Sequence, residues 1–356
     1  MDVEKVLLAR PRGFCAGVEM AIKALAWMCR VYPPPVYCYH EIVHNKVVVD
    51  RFVEQGVVFV DDVSEVPPGA PLMLSAHGTA PEVEAAARRS GGVVVNAVCP
   101  LVTKVHHEMK VRASKGYTVI YVGHAGHEEA VGTMAVAPDS VRLVETAADV
   151  DVLAEMGSEV ALLTQTTLSQ DEAEAVRARA IERFPELWMP GRSDLCFATT
   201  NRQAALSAIA DQVDAMIVVG SANSSNTVAL ERVARAAGCP RVYRVNEAAE
   251  LPDDLTGTVG VTAGASAPEE LVEAVLAALA PRDGVREVSA VDEDEYFPPP
   301  RELRDLARTM SGAQADPNTS FLDDRHRSAS DALAALGGTL DNKVTTDALI
   351  VQRSSS

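Results

Sequence analysis

The sequence predicts an α/β protein of three similar modules, and three observations predict it. Short, nearly continuous runs of β-branched and other apolar residues alternate with stretches of helical period, as in βαβ units whose parallel sheets are covered on both faces. Small or polar turns follow those runs, at the places where open α/β sheets bind ligands. Three cysteines, Cys15, Cys99 and Cys196, each follow a strand or turn and open a helix, in a repeat of architecture without sequence identity.

Taken in order, strands are expected at 6–10, 35–39, 72–75, 93–96, 118–122, 160–164, 215–219 and 259–262. Helices are expected at 17–30, 81–89, 170–183, 202–213, 226–237 and 268–279. Beyond each cysteine a second polar junction comes at nearly constant distance: His44 lies 29 residues after Cys15, His127 28 after Cys99 and Ser224 28 after Cys196. A third junction follows at His77, Thr166 and Ser266, 33, 39 and 42 residues further on. Three modules each presenting one thiol predict a trefoil with pseudo-threefold symmetry, the thiols meeting at its axis.

The expected organisation is an N-terminal strand at 1–14 joining the third module, modules at 15–98, 99–192 and 193–281, and a C-terminal segment at 282–310 that packs on them. That segment holds the acidic run Asp292-Glu293-Asp294-Glu295, read as surface, and a short helix at 301–309. The tail, 311–356, has no sustained period and reads as disordered, with an amphipathic helix conceivable near 329–336.

At 356 residues the chain has room for two or three domains. A 47% hydrophobic, 23% charged composition is that of a globular protein. The net charge of −18 argues against nucleic acid and anionic membranes as partners. No run approaches the length of a membrane span, and the first five residues open no signal peptide, so the expected address is the cytoplasm. Six cysteines are too sparse for a disulfide scaffold, and in a reducing compartment they are core thiols or ligands.

A thiolate at a helix N-terminus is stabilised by free N–H groups and the helix dipole, so Cys15, Cys99 and Cys196 are the cysteines placed to act as ligands. Any one of them alone reads as an inert thiol; three in equivalent positions do not. Three converging thiolates suit either an iron–sulfur cluster with one incompletely ligated iron or a three-cysteine zinc site with an open position. Cys29, Cys38 and Cys239 read as structural.

The histidines His44, His77 and His127 fall in strand-to-helix loops and are site candidates, whereas His106, His107 and His326 read as surface residues and His40 and His124 as weaker candidates. Ser221-Ala222-Asn223-Ser224-Ser225-Asn226 and Gly264-Ala265-Ser266 precede helices and offer several donors to an anion such as a phosphate. N-capping explains one such residue per helix but not Ser-Ser-Asn. Glu129, two residues after His127 in the same loop, suits a proton donor or simply loads the first turn of a helix.

These motifs resemble one family. Arg12-Gly13-Phe14-Cys15-Ala16-Gly17, Glu41-Ile42-Val43-His44-Asn45, Ser75-Ala76-His77-Gly78, Cys99-Pro100-Leu101-Val102-Thr103-Lys104, Gln165-Thr166-Thr167-Leu168-Ser169, Cys196-Phe197-Ala198-Thr199-Thr200-Asn201-Arg202, Asn223-Ser224-Ser225-Asn226 and Gly264-Ala265-Ser266-Ala267-Pro268 are similar to those of the 4-hydroxy-3-methylbut-2-enyl diphosphate reductases, the IspH or LytB family. The likeness runs from about residue 5 to 309. It implies a trefoil around a central 4Fe–4S cluster and the last step of the non-mevalonate isoprenoid pathway, a two-electron, two-proton removal of an allylic hydroxyl that yields isopentenyl and dimethylallyl diphosphates.

It further implies Cys15, Cys99 and Cys196 as cluster ligands, with the fourth iron open to substrate. His44, His77, His127, Ser224, Ser225, Asn226 and Ser266 would hold the diphosphate. Glu129 would deliver protons, Thr166 would position the hydroxyl, and ferredoxin or flavodoxin would supply electrons. The chain departs from the family at His127-Glu128-Glu129, where His-Pro-Glu is usual, and at Asn96-Ala97-Val98, where Asp-Ala-Thr is usual. A non-catalytic iron–sulfur sensor of isoprenoid diphosphates and a zinc hydrolase of diphosphates are the competing readings, and either a monomer or a homodimer is compatible with the sequence.

Overall fold

The computed structural model describes residues 1–310 and 328–337. The chain divides into two compact units, Met1–Cys15 with Leu101–Glu295, and Ala16–Pro100 with the chain from Tyr296 onward. Strand β1 (Asp2–Arg10) belongs to the first unit. The second unit then holds α1 (Ala16–Val31), β2 (Val36–Tyr39), α2 (Lys46–Glu54), β3 (Val57–Val60), β4 (Leu72–Leu74), α3 (Pro81–Arg89) and β5 (Val94–Asn96). Helix α4 (Pro100–Ser114) leads back into the first unit, through β6 (Thr118–Val122), α5 (Glu128–Met134), β7 (Val141–Val144), α6 (Ala147–Val152), β8 (Val160–Thr164) and α7 (Gln170–Arg183). It continues through α8 (Phe197–Ala210), β9 (Ala215–Val219), α9 (Ser225–Ala236), β10 (Val242–Val245), β11 (Thr256–Ala263), α10 (Glu269–Leu279) and β12 (Val285–Ser289). The second unit ends, among the described residues, in α11 (Arg301–Met310) and α12 (Ala329–Ala334).

Three parallel sheets result, and they share one topology. Their strand orders are β3-β2-β4-β5, β7-β6-β8 and β10-β9-β11-β1-β12. In each, the first strand of a consecutive trio lies between the other two. The chain leaves that strand for the edge and returns past it, so the loops after the first and third strands flank a topological switch point, where open α/β sheets present their binding crevice. Those six loops carry His44 and His77, His127 and Thr166, and Ser224 and Ser266.

Helices cover both faces of the largest sheet. Val6 and Leu8 of β1 pack with Val272, Val275 and Leu279 of α10, while Leu7 and Ala9 face Leu206 and Ile209 of α8 and Leu230 of α9. Val3 joins the face of Val6 because the register with β11 slips between Val3 and Lys5. In the β6 sheet, Ile120 and Val122 meet Val150, Val176 and Ala180, and Val119 and Tyr121 meet Val105, Met109 and Ala130. Each fully buried Leu, Ile or Val contributes about 1.5–3 kcal/mol.

The structure departs from the sequence expectation mainly at sheet edges. Strands β3, β7, β10 and β12 were not expected, and all four are edge strands. β7, β10 and β12 each carry a charged residue that interrupts the apolar run, whereas β3 is a short apolar run, Val57–Val60, whose two middle residues are not buried. Helix α8 starts at Phe197, five residues before the expected 202, because Cys196 itself caps it. Of the tail read as disordered, residues 328–337 form α12 and a 3₁₀ turn, capped by Ser328 and fastened to α1 by Ala329 N–H donating to Glu19 (2.7 Å) and Arg30 donating to the Ala335 carbonyl (2.9 Å). Residues 311–327 and 338–356, with His326, lie outside the described residues. Among the described residues no helix is long and apolar enough to cross a membrane.

Candidate active site

The three cysteines of the repeat are tethered in the same way. Cys15 N–H donates to the Ala265 carbonyl (3.1 Å), Cys99 N–H to Ala76 (3.0 Å) and Cys196 N–H to Thr166 (3.0 Å). Each acceptor lies in the loop after a third strand, β11, β4 or β8, so equivalence read from spacing is matched by equivalent hydrogen bonds. All three cysteines are half-buried, as is Cys29, while Cys38 and Cys239 are buried in the packing. Cys15 and Cys196 belong to the first unit and Cys99 to the second.

Cys196 shows what these thiols suit. Its sulfur accepts the Thr199 backbone N–H at 3.2 Å and lies 3.0 Å from the Thr199 hydroxyl. Burial, and then the charge of Cys15, push its thiol up to about 12, against the pull of those bonds and of Arg202. Two neighbouring sulfurs that repel each other as thiolates need a cationic centre to be held in that form. The donor set fits a thiolate-ligated metal group.

Glu129 is where the first unit keeps a proton. Helix α5 is capped by His127, whose Nδ1 accepts the Glu129 N–H at 3.1 Å, and Glu129 points inward from the first turn at 2% exposure. The neutral His127 ring therefore carries its hydrogen on Nε2 and offers a donor there. Glu129 Oε1 accepts the Thr166 N–H (2.7 Å) and Oε2 meets the Thr166 hydroxyl (2.9 Å). Burial raises the carboxyl to about 7; the Thr166 bonds oppose the rise and the charge of Asp194 adds to it. Glu128 stays half-buried at the first helical position. There an acidic side chain suits the helix dipole, and α5 starts in place without the family's proline.

The polar loops converge on α9. Ser224 caps it, accepting the Thr227 N–H, and the Ser266 hydroxyl donates to Ser224 Oγ at 3.4 Å. Gln165 takes the His124 N–H on Oε1 (3.0 Å) and donates to Ser225 Oγ (3.2 Å). Asn226 accepts the Ala265 N–H at 3.0 Å and donates to Thr199. The structure thus brings together, within the first unit, Glu129 with Thr166, and Ser224 and Asn226 with the Ser266 loop. In the second unit His44 and His77 stack with ring centroids 3.8 Å apart and planes 8° from parallel. His40 packs against Tyr39 with the ring planes tilted by 51°, His124 lies against Arg232, and His106 and His107 ride on α4.

Sequence reading missed the supports. Arg202 is 1% exposed; Nε and Nη2 donate to the Gly13 carbonyl (3.0 and 2.7 Å), Nη2 to Phe14 (3.1 Å), and Nη1 to Ala198 and Glu293 (both 3.0 Å). It binds the loop before Cys15 to the helix after Cys196, and it takes Glu293 out of the acidic run read as surface. The available signal was Arg202 itself, a charge six residues after a candidate ligand in the same helix. Asn96, at the second departure from the family, accepts the Val98 N–H at 3.0 Å and so keeps the turn before Cys99.

Comparison with known proteins decides the family. The profile described as LytB protein matches residues 6–280. Curated relatives named 4-hydroxy-3-methylbut-2-enyl diphosphate reductase include one from Rhodopirellula baltica, 46% identical over 88% of this chain and all of its own, and one from Cereibacter sphaeroides, 48% identical over 85% and 97%. This chain belongs to the LytB family. The E-1-hydroxy-2-methyl-but-2-enyl-4-diphosphate reductase of Plasmodium falciparum, another LytB-like structure, covers 87% of the chain with a TM-score of 0.83 at 30% identity. A second solved reductase, described as the terminal enzyme of the non-mevalonate pathway, covers 78% at a TM-score of 0.56. LytB membership implies an iron–sulfur cluster, and the thiol chemistry at Cys196 fits one.

Proposed function

We infer that this chain is a 4-hydroxy-3-methylbut-2-enyl diphosphate reductase, an oxidoreductase of the non-mevalonate isoprenoid pathway. The observation that carries the reading is the buried, proton-holding Glu129 on Thr166, in a chain whose three cysteines are tethered alike. The zinc hydrolase falls away with the family, whose named members are reductases. A sensor has no use for a buried carboxyl that takes up and releases a proton near neutral pH.

Cys15, Cys99 and Cys196 are the proposed ligands of a 4Fe–4S cluster. When bound, such a cluster supplies electrons singly and an iron that lacks a cysteine. The overall change breaks the allylic C–O bond, releases the oxygen as water, and adds two electrons and two protons. His44, His77, His127, Ser224, Ser225, Asn226 and Ser266 hold the diphosphate through short hydrogen bonds, which a net charge of −18 does not override at contact distance. Anchoring the diphosphate orients the allylic end and converts binding into effective concentration.

Glu129 and Thr166 manage the proton. With Glu129 neutral, its O–H donates to Thr166 Oγ1 and leaves the threonine hydrogen free to turn to the leaving hydroxyl. With Glu129 ionised, the threonine hydrogen points back to Oε2. Departure of water takes one proton by this route, and allyl protonation takes the second. Reduced ferredoxin or flavodoxin is the proposed electron source.

The test is anaerobic turnover with iron and sulfide quantification on the full chain and on Cys99→Ser. Brown wild-type protein that converts (E)-4-hydroxy-3-methylbut-2-enyl diphosphate to both products, given a strong one-electron donor, and a variant depleted in iron and activity are expected. Colourless, iron-free wild type after anaerobic reconstitution overturns the reading.

A further inference from the structure

Asn226 lies between the Ser266 loop and the Cys196 helix, and its amide is oriented by chemistry. The Ala265 N–H can only donate, so the Asn226 atom it reaches at 3.0 Å is the carbonyl oxygen Oδ1. Nδ2 therefore faces the other way and donates to Thr199 Oγ1 at 3.3 Å. A threonine hydroxyl has one hydrogen, and a cysteine bound to iron has none. With its oxygen accepting from Asn226, the Thr199 hydroxyl has Cys196 Sγ, 3.0 Å away, as the place for that hydrogen. The Thr199 backbone N–H reaches the same sulfur at 3.2 Å. Thr199 is 0% and Asn226 2% exposed, so bulk solvent does not replace these bonds.

We propose that Thr199 is a positioning residue that sets the reduction potential of the cluster, its hydroxyl aimed at Cys196 Sγ by Asn226. The inference rests on the iron–sulfur reading given above. A hydrogen bond to a ligating sulfur strengthens when the cluster gains an electron, because negative charge on the sulfur grows; it therefore favours the reduced form and raises the potential. Two such bonds thus reach the Cys196 sulfur from one residue. Ala265 ties the arrangement to the neighbouring ligand, since its carbonyl accepts the Cys15 N–H while its own N–H holds Asn226.

The test is a redox titration, followed by EPR, of the anaerobically reconstituted full chain and of Thr199→Val, Thr199→Ala and Thr199→Ser, with iron content measured on each. Loss of one hydrogen bond of ordinary strength changes the one-electron reduction constant about fivefold, about 40 mV at 59 mV per tenfold. The valine and alanine variants are expected to be harder to reduce by this amount, and Thr199→Ser to match the wild type. In the wild type itself, pulsed EPR after exchange into deuterium oxide should detect two exchangeable deuterons coupled at this sulfur, against one in Thr199→Val. Wild-type potential in an iron-replete valine or alanine variant overturns the inference, as does a single coupled deuteron in the wild type. Wild-type protein that binds no iron would instead refute the functional reading, so the two failures are distinct.

Discussion

Glu129 Oε1 accepts the backbone N–H of Thr166 at 2.7 Å while Oε2 meets the hydroxyl of the same residue at 2.9 Å, so one carboxyl is gripped by both ends of one threonine. The grip fixes the carboxyl in place while burial raises its affinity for a proton. Glu129→Gln preserves shape and the capped helix but removes the transferable proton. A general acid is worth about 10²–10⁴-fold. Turnover should fall within that range while iron content stays at the wild-type value, measured in parallel; undiminished turnover contradicts the assigned role.

The same burial makes stability depend on pH. Below about 4.5 the carboxyl is protonated in the folded and unfolded chain alike; between about 4.5 and 7 only the unfolded chain gives up its proton. Stability of the iron-free protein therefore falls as pH rises through that window, by roughly 3 kcal/mol, and levels off above about 7. Glu129→Gln should remove this part of the slope. Denaturant titrations at pH 5 and pH 8 measure it, and identical slopes for the two proteins count against the raised carboxyl.

Arg202 carries one unit of buried charge matched by Glu293 and by the carbonyls of Gly13, Phe14 and Ala198. Removing one partner of a buried ion pair costs about 3–5 kcal/mol. Arg202→Met should be destabilised by that order and lose iron, since the Cys15 loop is released. Arg202→Met/Glu293→Gln should recover part of the loss, because no carboxylate is then left unpaired. Additive losses in denaturant unfolding contradict the pairing.

Gly220 and Gly264 both abut Thr227, and a Cβ at either position collides with the Thr227 side chain. This close approach holds the loops after β9 and β11 against the start of α9. Gly264→Ala should cost about 1–3 kcal/mol by overpacking, and Thr227→Ala in the same chain should relieve most of it. Melting temperatures of the single and the double variant decide, and a double variant no better than Gly264→Ala contradicts the contact.

Strands β2, β4, β6, β8, β9 and β11 and the loops after them were legible because buried parallel strands are nearly continuous apolar runs, and all six read that way. Edge strands β7, β10 and β12 were not, since charged residues on their solvated side interrupt the run, and β3, a four-residue apolar run at an edge, is too short to stand out. The cysteine spacing and the Ser-Ser-Asn cluster likewise stand out along the chain, whereas the role of Glu293 depends on an arginine 91 residues away.

By itself, then, the sequence determined the fold class, the three-module repeat, the family and the candidate residues, all of which depend on local pattern and spacing. Only the tertiary structure decided that Glu129 rather than Glu128 is the buried carboxyl, that Arg202 binds the loop before Cys15 to the helix after Cys196, and that the Thr199 hydroxyl faces Cys196. Burial, hydrogen-bond direction and the pairing of distant charges are properties of three-dimensional neighbours, and no spacing along the chain encodes them.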